Sequence, residues 1–243
     1  MNEGEPPTGE HRAAEPQTPP CQEERGRAKF LLPSLVALIL FYPAAAEFPF
    51  ASYLILAMNA VVLIAAVYAV AETKTHVRIA VALAAPQLVL SVAAGLAPPE
   101  STAAAWLSVV AAGLLAVFYG YAIERLLRSV LRACMVSAEV LFQGLSIYLL
   151  LGLGWASIFS ALEQIAPGSF RFSVTQPGHG GLALIYFSFV TLTTLGYGDI
   201  TPLTDRARSL VILETITGQL YLAVMVARLV TLYGQHRRSA SGR

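Results

Sequence analysis

Read for its hydrophobic and polar positions, the chain divides into long apolar runs separated by short polar breaks. A membrane crossing needs about 20 mainly apolar residues to traverse a hydrocarbon core about 30 Å thick. Six stretches approach that length: residues 30–46, 50–71, 79–97, 102–123, 140–162 and 207–232. The first is the shortest and carries Pro33 and Pro43. Backbone polar groups have no water to bond to in lipid, so each run predicts a helix. A further run, residues 181–195 (GLALIYFSFVTLTTL), is too apolar for a solvated loop and too short to cross. It predicts a re-entrant helix, approached through the flexible QPGHGG of residues 176–181. The alternative for that run is a surface loop with a hydrophobic patch. The predicted fold class is an all-α membrane protein, with six transmembrane helices plus a re-entrant helix and an irregular loop after it.

Composition agrees: of 243 residues, 56% are hydrophobic and 13% charged, and the mean hydropathy is +0.63. The formal charge of +1 hides an uneven distribution. With the N-terminus placed in the cytosol, the inner side collects Arg12, Arg25, Arg27, Lys29, Lys74, Arg78, Arg125, Arg128, Arg132, Arg228, Arg237, Arg238 and Arg243, and the outer side only Arg171, Arg206 and Arg208. An excess of Lys and Arg on cytoplasmic loops sets orientation, so six crossings and two cytosolic termini are expected in a cell membrane. The opening stretch, rich in Glu, Pro, Gln and Thr, cannot bury enough surface to order itself. Residues 1–28 are therefore read as a disordered cytosolic tail; its acidic start lacks the basic and apolar regions of a secretory signal. Cys21 and Cys134 show no pairing or metal-ligand spacing and are expected as free thiols; His76, His179 and His236 show no ligand spacing either.

The stretch TLTTLGYGDITP, residues 191–202, carries the chemistry. If residues 194–198 run extended with alternating backbone handedness, successive carbonyls point toward one axis. Gly196 and Gly198 permit this, because a left-handed conformation costs other residues roughly 1–2 kcal/mol. Carbonyls of Thr194, Leu195, Gly196 and Tyr197, with the Thr194 hydroxyl at the inner end, would replace the water shell of a dehydrating cation, an arrangement suited to K+. The preceding short helix would aim its negative C-terminal end at a waiting cation. Tyr197, Tyr186 and Phe187 are expected as an aromatic cuff behind the carbonyls, with Asp199 at the outer mouth.

ALIYFSFVTLTTLGYGD, residues 183–199, resembles the pore helix and selectivity filter of the potassium channel superfamily, and the order of spans is similar to its bacterial six-helix members. The resemblance is specific over residues 183–230 and architectural over the first 140. It implies a potassium-selective channel built as a homotetramer, because four pore motifs must surround one axis and this chain holds one. It also implies an inner-helix hinge at Gly218, with Gln219 facing a water-filled cavity. Leu222 and Val226 recur toward the cytosolic end of that helix, either narrowing an inner gate by dewetting or serving as ordinary packing residues. The domain organisation expected is a four-helix voltage-sensor-like unit (29–123), an amphipathic interfacial linker helix (124–138), a pore domain (139–233) and a short cytosolic tail (234–243).

Two departures from the family pattern bear on gating. Voltage-gated relatives repeat arginines along the fourth span, where each elementary charge is worth about 2.3 kcal/mol per 100 mV; residues 102–123 contain no Lys or Arg. Arg125, Arg128 and Arg132 come just after it, alternating with Leu126, Leu127, Val130 and Leu131, a pattern for a helix on the inner leaflet. Opening is expected to depend weakly or not at all on voltage. After Leu232 only YGQHRRSASGR remains, so no ligand-binding regulatory domain is expected in cis.

Glu214 is a carboxylate inside the sixth span, a costly placement unless it is partnered. Ser188 or Thr191 is its expected neighbour, with Arg206 or Arg208 above. Two roles are open: protonation-linked gating, and a structural hydrogen bond docking the inner helix on the pore helix. Asn59, Gln87 and Gln143 are read as interhelical hydrogen-bonding amides. The alternatives to a potassium channel are a potassium uptake transporter subunit, disfavoured because such chains carry four degenerate copies with a single filter glycine, a non-selective cation channel, and a non-conducting adaptor with a decayed pore. An enzyme is not expected, since the chain has no phosphate loop, nucleophile elbow, HExxH or paired carboxylates; no cofactor and no nucleic-acid partner is expected.

Overall fold

The computed structural model describes residues 29–46, 48, 50–71, 73–98, 101–134, 137–173 and 180–241. The expected disordered tail, Cys21, His179 and most of QPGHGG lie outside these. The elements are α1 (Leu31–Ala46), α2 (Ala51–Val70), α3 (Lys74–Leu96), α4 (Thr102–Arg132), α5 (Ala138–Ile165), β1 (Phe170–Phe172), α6 (Gly180–Leu192), β2 (Ile200–Pro202) and α7 (Asp205–Ser241). Four helices begin where a hydroxyl satisfies an orphan amide. Thr73 accepts from the His76 amide, Ser101 from Ala104, Ser137 from Val140 and, at the start of α7, Thr204 from Ala207. The Thr73 cap starts α3 ahead of its apolar run, which residue hydrophobicity alone does not show.

The protein is an all-α membrane protein, and five helices, α2, α3, α4, α5 and α7, are long and apolar enough to cross. α1 has 16 residues, with Pro43 inside it, and reaches about 24 Å at 1.5 Å per residue. The 13-residue α6 is apolar but too short to span, as its sequence implied.

The linker helix expected over 124–138 is not separate. α4 continues unbroken to Arg132, the chain turns at Ala133, and α5 starts at Ala138. The helix carries on because its inward face does: Ala122, Leu126 and Val130 are all buried, while Glu124 pairs with Arg128 one turn on. The amphipathic pattern was real, but it belongs to the last turns of α4.

One buried core joins α1 through Leu31 and Leu35, α2 through Val62 and Leu63, α4 through Phe118, Ala122 and Leu126, and α5 through Ile147 and Leu150, and it reaches Leu192 at the end of α6. A second, smaller cluster contains Phe159, Phe170, Leu184, Phe187, Ile200 and Ala207. It sits under an antiparallel ribbon in which Phe170 faces Pro202, Arg171 faces Thr201 and Phe172 faces Ile200. This ribbon was not expected from the sequence. It ties the segment before α6 to the segment after the Gly-Tyr-Gly, and Glu163 at the end of α5 braces it by accepting from the Gly168 and Phe170 amides at 2.8 and 3.0 Å.

Candidate functional site

α6 ends in a Schellman motif, and that motif starts the candidate filter. The Leu195 amide donates back to the Val190 carbonyl and the Thr194 amide to the Thr191 carbonyl, both at 2.9 Å. Such a motif requires a left-handed residue just past the helix end, normally glycine. Thr194 occupies it, with φ 61°. For a β-branched residue this is an outlier costing roughly 1–2 kcal/mol. Positive φ recurs at Gly196 (58°) and Gly198 (79°). Handedness therefore alternates from residue 194 to 198, the geometry that turns successive carbonyls of an extended chain to one side. Sequence reasoning located the two glycines and missed that Thr194 is the third left-handed position.

Residues 193–198 are all exposed in the single chain, with Tyr197 at 67% and Leu195 at 58%. At its outer end the segment is held by the ribbon: the Ser173 amide donates to the Asp199 carbonyl at 2.9 Å, and the Asp199 carboxylate accepts from the Ile200 amide at 3.1 Å. Tyr186 lies beside that carboxylate.

Within one chain, Phe187 follows Tyr186 on α6 and packs on the ribbon side of the loop. It is buried among Phe159 and Phe170, with ring centroids 5.5 and 5.4 Å away. Neighbouring residues on a helix point about 100° apart, at 3.6 residues per turn, and Tyr186 is the more exposed of the two, at 39%. Phe187 thereby supports the ribbon that holds one end of the loop.

α7 lays one stripe against α5 and α6: Ala207, Val211, Glu214, Gly218, Tyr221, Met225, Arg228 and Leu232 are buried or half-buried at spacings of three and four. Glu214 is fully buried and faces Ser188, whose Oγ lies 2.5 Å from Oε1. Ser188, and not Thr191, is its partner, and the contact joins α7 to α6. Among the described residues Glu214 forms no ion pair with an arginine, and Arg208 pairs with Asp205 on an exposed turn.

α7 runs through Gly218 without a break. This glycine lets α7 pack closely on the end of α6, since a Cβ there would meet Leu192 Cδ1 at 2.7 Å and the Leu192 carbonyl at 3.1 Å. Gln219, Leu222 and Val226 lie on the exposed side of α7, away from α5 and α6. Further seams went unread in the sequence. Tyr221 donates to the Gly144 carbonyl at 2.5 Å, and its ring stacks on Tyr148. Arg228 donates to the Leu131 and Ala133 carbonyls at 2.8 and 2.6 Å, so α7 caps the C-terminus of α4. Hydrophobic runs alone cannot reveal these seams, because each depends on which helices meet.

Outside the loop, Cys134 is an exposed free thiol as expected, and His76 bonds Tyr121 at 3.0 Å. Among the described residues no group of His, Cys, Asp or Glu could hold a metal ion.

Residues 138–235, from the start of α5 to the later turns of α7, match the family described as "Ion channel". The chain is also similar to Protein LctB of Bacillus caldotenax, 34% identical over 87 residues. That match takes in 34% of this chain and spans 64% of the relative's length.

Proposed function

The chain belongs, through residues 138–235, to the potassium channel superfamily, and on that premise we propose that it is a passive, potassium-selective pore formed by four copies around one axis. The single observation that carries the reading is the alternation of handedness at Thr194, Gly196 and Gly198 in a TTLGYGD loop. In this arrangement the carbonyls of Thr194, Leu195, Gly196 and Tyr197, with the Thr194 hydroxyl innermost, take the place of water around K+. Asp199 and Tyr186 stand at the outer mouth.

The exposure of residues 193–198 supports assembly. A strained loop bearing Tyr197 and Leu195 has few contacts of its own to hold its shape, and neighbouring copies supply them. The free face of α7, with Gln219, Leu222 and Val226, then lines the inner cavity, with Leu222 and Val226 narrowing its cytosolic end and Gly218 as the point about which α7 bends. Gating is weakly dependent on voltage or independent of it, since the membrane-crossing part of α4 from residue 102 to 123 carries no basic residue.

For the membrane, the positive-inside rule favours both termini in the cytosol. That topology has α1 crossing together with the five longer helices. Purified chain in liposomes, loaded alternately with K+ and Na+ gradients, tests ion choice, and its mass in a lipid-like environment tests assembly. Potassium flux from a tetramer is expected; equal flux of both ions, or flux from a monomer, refutes the reading.

A further inference from the structure

We propose that Glu214 is a proton-binding site within the membrane, occupied as the neutral carboxylic acid, and that its proton helps pin α7 to α5 and α6. The inference goes beyond ion conduction and rests on counting donors. Ser188 Oγ lies 2.7 Å from the Gly152 carbonyl of α5 and 2.5 Å from Glu214 Oε1 of α7. A serine hydroxyl carries one proton, and a backbone carbonyl can only accept. If Ser188 donates to Gly152, the short contact to Glu214 needs a proton of its own, and the carboxyl is the group that can carry it. If Ser188 donates to an ionised Glu214, its contact with the Gly152 carbonyl has no proton at all.

The surroundings favour the first arrangement. Ser188 and Glu214 are both completely buried, and Oε2 has no hydrogen-bond partner among the described residues. An ionised carboxylate would leave that oxygen charged, buried and unsatisfied. Among the described residues no cation faces it. From α5 the titratable group in electrostatic range is Tyr148, whose hydroxyl is directed at the Leu192 carbonyl. α6 contributes Ser188 and no charged side chain to the contact. On α7 itself, Arg208 turns to Asp205, and Arg228 is engaged at the end of α4.

Two glycines hold the site in a tight seam. A Cβ at Gly152 would meet the Phe189 ring at 2.6 Å, as one at Gly218 would meet Leu192. The three helices therefore meet at close range around the proton. Unfolded, the same glutamate is ionised at neutral pH, so the folded chain binds one more proton than the unfolded one. Stability consequently falls as pH rises, by about tenfold in the unfolding equilibrium per pH unit over the range where only the folded form holds the proton.

The test uses the full chain in liposomes, isotope-labelled at its glutamate carboxyls, followed by infrared spectroscopy. The carbonyl stretch of a protonated carboxyl is expected at neutral pH and is lost in Glu214→Gln. Ser188→Ala, which keeps the acid and removes its acceptor, shifts the same band and keeps the test decisive if the Gln variant does not fold. The unfolding equilibrium of wild type is expected to weaken with rising pH while that of Glu214→Gln stays flat. Absence of the band at neutral pH, a band unmoved by Ser188→Ala, or parallel pH profiles for the two proteins overturns the proposal. None of these readouts needs ion flux, so a negative result leaves the pore reading standing.

Discussion

Replacing Gly218 by alanine adds one methyl group where α7 packs on the end of α6. The new Cβ would lie 2.7 Å from Leu192 Cδ1 and 3.1 Å from the Leu192 carbonyl oxygen. Leu192 is fully buried, so its side chain has little freedom to swing away, and the carbonyl belongs to the end of α6. Overpacking of this kind costs about 1–3 kcal/mol. Alanine in place of glycine inside a helix contributes roughly 0.5–1 kcal/mol in the other direction, which leaves a net loss of about 0–2.5 kcal/mol. Gly120 on α4 provides the control, because a Cβ there meets nothing within 4 Å. Gly120→Ala should gain the helix contribution alone, about 0.5–1 kcal/mol. Equilibrium unfolding of the two variants in mixed micelles measures the difference, with Gly218→Ala expected to be the less stable by about 1–3 kcal/mol. Equal stabilities, or the reverse order, would falsify the close contact between α7 and the end of α6.

Thr194→Gly removes the cost of a left-handed β-branched residue, roughly 1–2 kcal/mol, against the extra chain entropy of glycine. It should leave stability equal or higher while weakening potassium preference, because the innermost hydroxyl is gone; flux and unfolding measured on one preparation check both halves. Arg228→Ala removes two hydrogen bonds from a charged donor to the end of α4, and each such bond contributes about 1.5–3 kcal/mol. Loss of stability should be accompanied by faster amide exchange in the last turn of α4, and unchanged exchange there counts against the contact. In planar bilayers, open probability should vary only shallowly with voltage, and a steep sigmoidal curve contradicts the reading of α4 as lacking a sensor.

Most of the helices were legible because their cause is local: a run of apolar side chains in lipid has no alternative to a helix, whatever its neighbours. Helix ends were less legible. The start of α3 is set by Thr73, and the end of α4 by how far Leu126 and Val130 continue its buried face, so charge at Arg125 and Arg128 suggested a boundary that packing erased. The three-residue strands FRF and ITP are too short to show periodicity, and only their pairing makes them a ribbon. In the candidate site, Gly196 and Gly198 announced themselves because few residues tolerate their backbone. Thr194 gave no such signal, since its left-handed conformation is imposed by the helix end behind it. The packing of Phe187 on Phe159 and Phe170 was not legible, because it depends on α5 and the ribbon meeting α6. Ser188 or Thr191 was expected beside Glu214, but the choice of Ser188, and the role of Gly152 as the third member, depend on how α5, α6 and α7 meet.

The reversal potential of wild-type channels in a planar bilayer, with K+ on one side and an equal concentration of Na+ on the other, tests the central claim most directly. Rings of main-chain carbonyls from four chains should hold the current near zero only at a strongly displaced voltage, of the sign that opposes potassium flow. A reversal potential at zero means that the loop does not distinguish the two ions, and the carbonyl-lined filter is then wrong.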